Sequence, residues 1–265
     1  MTGIVTALMR YPIKGLSPEA LPSIKLQTGY GFSGDRAFAL ALPNTPFDPA
    51  NPKCLPKTLF LMLARQEALA RLQTRYDAES GELHIRDGSI TLSASTRTGE
   101  GIAEIESFFA QFVPAGQADN RPRLVTAEDH SFTDVGVHSR ELMRAVSVMN
   151  LASVREFEAQ VGRPIDPRRF RANILVDGLE PWVEMGWLER ELTIGRMRFR
   201  GARMTRRCPA TEVNPDTAVR DINVPEELKR LYGHVHLGIY LFVLDDGELA
   251  IGDKLTPSPR YAGDH

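Results

Sequence analysis

Short strand-like segments, cut off again and again by Gly, Pro and Asn/Asp turns, are what most limit the folds open to this chain. Residues 3–9 read as an opening strand broken by Tyr11-Pro12, and residues 24–26 as a second, before the glycine-rich turn at 29–34. Residues 36–42 alternate into a third. From Pro43 to Pro56 the density of Pro and Asn predicts a long loop. Leu63, Leu69 and Leu72 have helical spacing, and residues 81–92 predict a hairpin turned at Asp87-Gly88. Helices are few. The clearest spans residues 100–112, with Ile102, Ile105, Phe108, Phe109 and Phe112 on one face.

After a polar, proline-bearing connector over residues 114–122, residues 146–149 read as a strand, and Asn150 is placed to cap a helix over 151–161 that Gly162 and Pro164 stop. A strand follows at 173–176. Residues 192–194 and 196–202 predict a hairpin around Gly195, with Met197 and Phe199 on one face and Arg196, Arg198 and Arg200 on the other. A short helix at 225–231 precedes a last pair of strands, 236–244 and 249–251, joined at Asp245-Asp246-Gly247. The pattern predicts a mainly β, α+β protein: a β-barrel core decorated by helices, with a smaller β-rich N-terminal domain over 1–95 and the barrel domain over 96–265.

Composition narrows the class. A chain of 265 residues with 42% hydrophobic and 25% charged content buries a core without a covalent staple, and two cysteines cannot form a disulfide framework or a Cys-rich metal cluster. The expected setting is a reducing cytoplasm. The N-terminus lacks the basic region and apolar core of a secretory signal, and no apolar run approaches the roughly 20 residues of a membrane helix. A net charge of -2 argues against a general nucleic-acid binder. It hides a local excess, because eleven of 26 arginines fall between Arg163 and Arg207, where only six acids stand. Guanidinium forks match phosphate and carboxylate, so that stretch is a candidate patch for an anionic ligand.

Cys208 is the first candidate for chemistry. It sits in the run Arg206-Arg207-Cys208-Pro209-Ala210-Thr211, followed by Asn214-Pro215-Asp216-Thr217. A thiolate beside two guanidiniums is favoured in the charged form that ligates a metal or attacks an electrophile. Nucleophile elbows, phosphate-binding loops and zinc-protease motifs are absent. His234 and His236 would share a strand face, which gives a two-ligand metal site at best. Asp134 and His138 are candidate partners of Cys208 whose proximity sequence cannot show.

Six motifs in order carry a resemblance that spacing alone does not supply. Tyr11-Pro12-Ile13-Lys14-Gly15, Gly34-Asp35-Arg36, Arg169-Phe170-Arg171-Ala172-Asn173, Ile194-Gly195 with Phe199, Arg207-Cys208 with Asn214-Pro215-Asp216-Thr217, and Gly238-Ile239-Tyr240 with Ile251-Gly252-Asp253 together resemble the MOSC family. This module is named for the C-terminus of molybdenum-cofactor sulfurases, and the chain is similar to the amidoxime-reducing proteins among its members. The resemblance implies a molybdenum cofactor (Mo-molybdopterin) bound between the two parts, with Cys208 as metal ligand and catalytic centre. It implies Lys14, Arg36, Arg171, Asn173 and Arg207 as the clamp for the anionic pterin.

The activity so implied is reduction of a small N-hydroxylated or N-oxide substrate, with electrons from a separate ferredoxin or flavoprotein and no nucleic-acid or membrane partner. Two alternatives stay open, a persulfide sulfur carrier on Cys208 and a cofactor carrier without turnover. The chain departs from the amidoxime reducers at Gly15 and Arg206, where they have serine, and at Thr205, where they have cysteine. An arginine at 206 would narrow or recharge the substrate entrance.

Overall fold

The computed structural model describes residues 2–114 and 121–257. In chain order its first half holds β1 (Gly3–Arg10), β2 (Glu19–Leu21), β3 (Ser23–Gln27), β4 (Gly31–Phe32), β5 (Phe38–Ala41), β6 (Gln73–Asp77), β7 (Glu82–Asp87), β8 (Ile90–Ser95), α1 (Gly99–Phe109) and β9 (Arg123–Thr126). The second half holds α2 (Arg140–Met143), β10 (Val146–Asn150), α3 (Leu151–Val161), β11 (Ile174–Asp177), β12 (Glu191–Ile194), β13 (Met197–Arg206), α4 (Val224–Tyr232), β14 (His236–Val243), β15 (Gly247–Ala250) and β16 (Lys254–Pro257).

Seven strands pair in the circular order β11, β10, β14, β13, β12, β16, β1, and β1 returns to β11, so the sheet closes into a barrel. Closure follows from alternation: Val5, Leu8, Val148, Ile174, Leu192, Ile194, Phe199, Ile239 and Leu255 face inward and share one core. Each strand thereby hides its edge. α3 and α4 cover one side through Val154, Phe157 and Leu228, which cluster with Leu237 of β14. The Asn150 side chain caps α3 by accepting from the Ala152 amide, and Gly162 ends it in the left-handed region at φ 72°.

The second core gathers Phe38, Leu40, Leu83, Ile85, Ile105, Phe109 and Phe112 from β5, β7, α1 and the turn after it. The mainly β barrel with helices is therefore as the pattern predicts, but packing does not divide the chain at residue 95. β1 lies in the barrel, and α1 packs on the N-terminal sheets. β15 pairs with β3 rather than with β14, against the expected terminal hairpin. Only single turns of 3₁₀ helix form over Glu67–Arg71, where a longer helical segment was the expectation. Residues 115–120 of the expected connector lie outside the described residues.

Candidate functional site

A cavity of about 550 Å³ opens between the barrel and the N-terminal unit. That is within the range that encloses a cofactor-sized ligand. Lys14, Arg36, Arg171, Asn173, Arg207 and Cys208 all line it, and so do Asp134 and His138. Eight Lys and Arg residues face two Asp residues across its wall, so its field is strongly positive.

Local backbone geometry builds the floor. Arg36 sits in the left-handed region after the Gly34-Asp35 turn, its amide on the Tyr11 carbonyl at 2.6 Å. Arg171 does the same at φ 52°, closing the turn Pro167–Phe170. Both guanidiniums then stack on the Tyr11 ring, each 4.4 Å from its centroid. Asp35 pairs with Arg36 and accepts from the Tyr11 amide at 2.8 Å. Among the described residues the Arg171 side chain donates only to the Leu16 carbonyl at 2.6 Å, and removal from water, together with the Arg36 charge, lowers its pKa to about 10. It stands on the turn ahead of β11 and not on the strand itself.

Asn173 is buried and used by the fold. Its Oδ1 accepts from Ser147 N at 3.2 Å and Oγ at 2.8 Å, and its Nδ2 donates to Met9 O at 3.1 Å, tying β1, β10 and β11 together. Arg207 is 6% exposed and reaches inward beneath Gly238, donating from Nε to Leu237 O at 2.8 Å and from Nη1 to Phe170 O at 2.7 Å. All its partners are carbonyls. Burial pulls its pKa down to about 10, against the opposite pull of Tyr240 and Cys208.

Cys208 follows the end of β13, where two register shifts against β14 turn the strand toward the cavity. Its carbonyl accepts from Thr211 N at 3.0 Å and Oγ1 at 2.9 Å, and its side chain is partly exposed. Of the two neighbouring guanidiniums, that of Arg207 lies within electrostatic reach of the sulfur but spends its hydrogen bonds on carbonyls. Arg206 is exposed on the strand and Arg207 is folded inward. Lys57, from the turn after the long loop, brings an ammonium charge to the Cys208 sulfur, which in turn helps to hold the Lys57 proton. Lys57 also meets Asp134 Oδ2 at 3.2 Å, while Lys14 pairs with Asp134 and donates to Phe132 O at 2.9 Å. Burial acts to raise the Asp134 pKa, but the two lysines outweigh it and hold it at about 2. Lys57 was missed because nothing in the loop's composition singles it out.

A molybdenum pterin asks for a soft ligand and for cations to balance its phosphate, and the wall offers both. Among the described residues, Arg171 and Arg207 touch no carboxylate, and Thr205, also on the wall, carries a buried hydroxyl without a partner. Buried charge left uncompensated costs several kcal/mol, which a bound anion offsets. The residues fit the group. His234 and His236 have ring centroids 5.7 Å apart, and no group of three or more metal-binding side chains occurs among the described residues.

Residues 128–256 match the family model for the MOSC domain. These residues form a MOSC domain. The barrel is nonetheless completed by β1, which lies outside the matched stretch. The chain is distantly related to the human mitochondrial amidoxime-reducing component 1, 24% identical over 173 residues that cover 59% of this chain and 51% of that protein. The Drosophila persimilis molybdenum cofactor sulfurase is 29% identical over 127 residues, covering 45% of this chain and 16% of that one. The MOSC-domain chain thus matches about half the length of the human relative and less of the other. Among solved structures, the YUAD protein from Bacillus subtilis aligns with a TM-score of 0.43 at 13% identity, covering 96% of this chain and 94% of that one.

Proposed function

We propose that this MOSC-domain protein holds a molybdenum cofactor in the cavity and reduces N-hydroxylated or N-oxide substrates. The observation that carries the reading is a partly exposed thiol in the same cavity as two guanidiniums that contact no carboxylate among the described residues. Bound there, a molybdenum pterin supplies the two-electron chemistry needed to take an oxygen atom from nitrogen.

The chain's own residues do the rest. Arg171, Arg207 and Lys14 neutralise the phosphate end, and Arg36 braces Arg171 through the shared Tyr11 ring and its hydrogen bond to the Arg171 carbonyl at 3.0 Å. Cys208 offers the soft ligand, and Lys57 fixes its direction. Asp134 is held ionised, so it orients the two lysines and does not donate a proton. Asn173 acts by holding the barrel strands beneath Arg171. Electrons come from a separate ferredoxin or flavoprotein.

A second reading, a persulfide carrier, is favoured by the partial exposure of Cys208 and by the likeness to a sulfurase. Turnover separates the two. Protein made in a molybdopterin-producing host is given benzamidoxime and reduced methyl viologen; the reductase reading expects benzamidine, and expects it to vanish in Cys208→Ser. Equal turnover in wild type and Cys208→Ser removes the thiol from the chemistry. A protein without turnover whose Cys208 carries cyanolysable sulfur is the carrier.

A further inference from the structure

Arg203 and Arg206 differ from every other cation on the cavity wall. Lys14 and Lys57 share Asp134, Arg36 pairs with Asp35, Arg169 with Asp221, and Arg171 and Arg207 are engaged by carbonyls. Arg203 and Arg206 are exposed, and among the described residues neither makes an ion pair or a side-chain hydrogen bond. Both stand on the bulged end of β13, opposite Tyr240 and His236 of β14, within five residues of Cys208. Their charges converge: His236 is pushed toward its neutral form by burial, and further by His234, Arg206 and Arg203.

The rest of the lip is different in character. Met62, Leu63, Ala64, Val135 and Val137 bring apolar surface, and the two acids on the wall are already engaged by Lys14, Lys57 and Arg36. An arginine fork with no internal partner is preorganised for an oxyanion, and one that needs no internal bond broken binds it at little cost. We infer that Arg203 and Arg206 recognise an anionic group on the substrate, so that the oxygenated nitrogen is presented on a small molecule with an apolar body and a carboxylate or phosphate tail. This rests on the reductase reading for the reaction, though not for the binding.

The test uses protein purified from a molybdopterin-producing host, with unreactive 4-carbamoylbenzoate and benzamide as binding probes and 4-carboxybenzamidoxime and benzamidoxime as substrates. Calorimetry should show the carboxylate probe binding about tenfold more tightly than benzamide. Arg203→Ala/Arg206→Ala should erase that ratio, and the ratio of the two substrate KM values should collapse in parallel. Arg206→Lys should recover part of it, because charge returns without the fork. Equal affinities in the wild type, or a preference that survives the double substitution, overturns the inference. So does a double variant that raises only the KM for an acidic electron-donor protein, which would make the pair a docking site. Tighter binding of the carboxylate probe with no turnover of either amidoxime would instead leave this inference standing and sink the reductase reading.

Discussion

Gly238→Ala probes the seat of Arg207 without touching a charge. Gly238 holds φ at 81°, and a Cβ there would stand 2.7 Å from the Val148 carbonyl, 3.1 Å from Arg207 Nη2 and 3.2 Å from Met149 Cε. Left-handed backbone costs an L-residue about 1–2 kcal/mol, and forcing a barrel carbonyl aside adds about 1–3 kcal/mol. The sum is about 3 kcal/mol, or a fall in Tm of roughly 6–12 °C at about 2–4 °C per kcal/mol for a chain of this size. Gly162→Ala is the control, since Gly162 has φ 72° with nothing within 4 Å of its Cβ position. It should lose only about 1 kcal/mol, or about 2–4 °C. Thermal denaturation followed by circular dichroism measures both. Equal losses in the two variants would refute the claim that backbone and guanidinium crowd against Gly238.

Inorganic phosphate should stabilise cofactor-free protein, by about 2.7 kcal/mol at a hundredfold excess over its Kd, and Arg171→Met/Arg207→Met should remove the response in a thermal-shift titration. The Asp134 carboxyl is held at about 2, below its ordinary 3.8, so the unfolded chain takes up a proton first as pH falls. Its contribution is therefore full above about pH 4 and lost toward pH 2; with Asp134 47% exposed, screening limits it to about 1 kcal/mol. Urea unfolding of Asp134→Asn should show a correspondingly shallower acid dependence. Lys57→Met should lower molybdenum retained through gel filtration while Tm moves by only a few degrees, because Lys57 is partly exposed and its side chain meets only Asp134 and Cys208.

Elements whose signal is local were legible in the sequence. The β12–β13 hairpin follows from Gly195, and Met197 and Phe199 face inward opposite Arg198 and Arg200 as alternation requires. The Asn150 cap and the Gly162 stop follow from side-chain chemistry within a few residues. The barrel itself was predicted, but the strand order that closes it was not readable, because Leu8 pairs with Ile174 and β3 with β15 over separations far longer than any local signal. At the site, residue types carried the information and directions did not. Cys208, Arg171 and Arg207 line one cavity, and a further cation acting on the sulfur, Lys57, is brought in by a turn rather than by an adjacent position. Arg171 stands in left-handed backbone that the strand-like run from Arg169 to Val176 conceals, and Asn173 spends its amide on Ser147 and Met9.

The most direct measurement of whether Cys208 and its surrounding cations hold an inorganic centre is molybdenum content with X-ray absorption at the molybdenum edge, on protein purified from a molybdopterin-producing host. The account predicts stoichiometric molybdenum with a thiolate sulfur beyond those of the pterin, and loss of that one sulfur scatterer in Cys208→Ser. Metal-free protein, or a sulfur shell identical in the two forms, would contradict it.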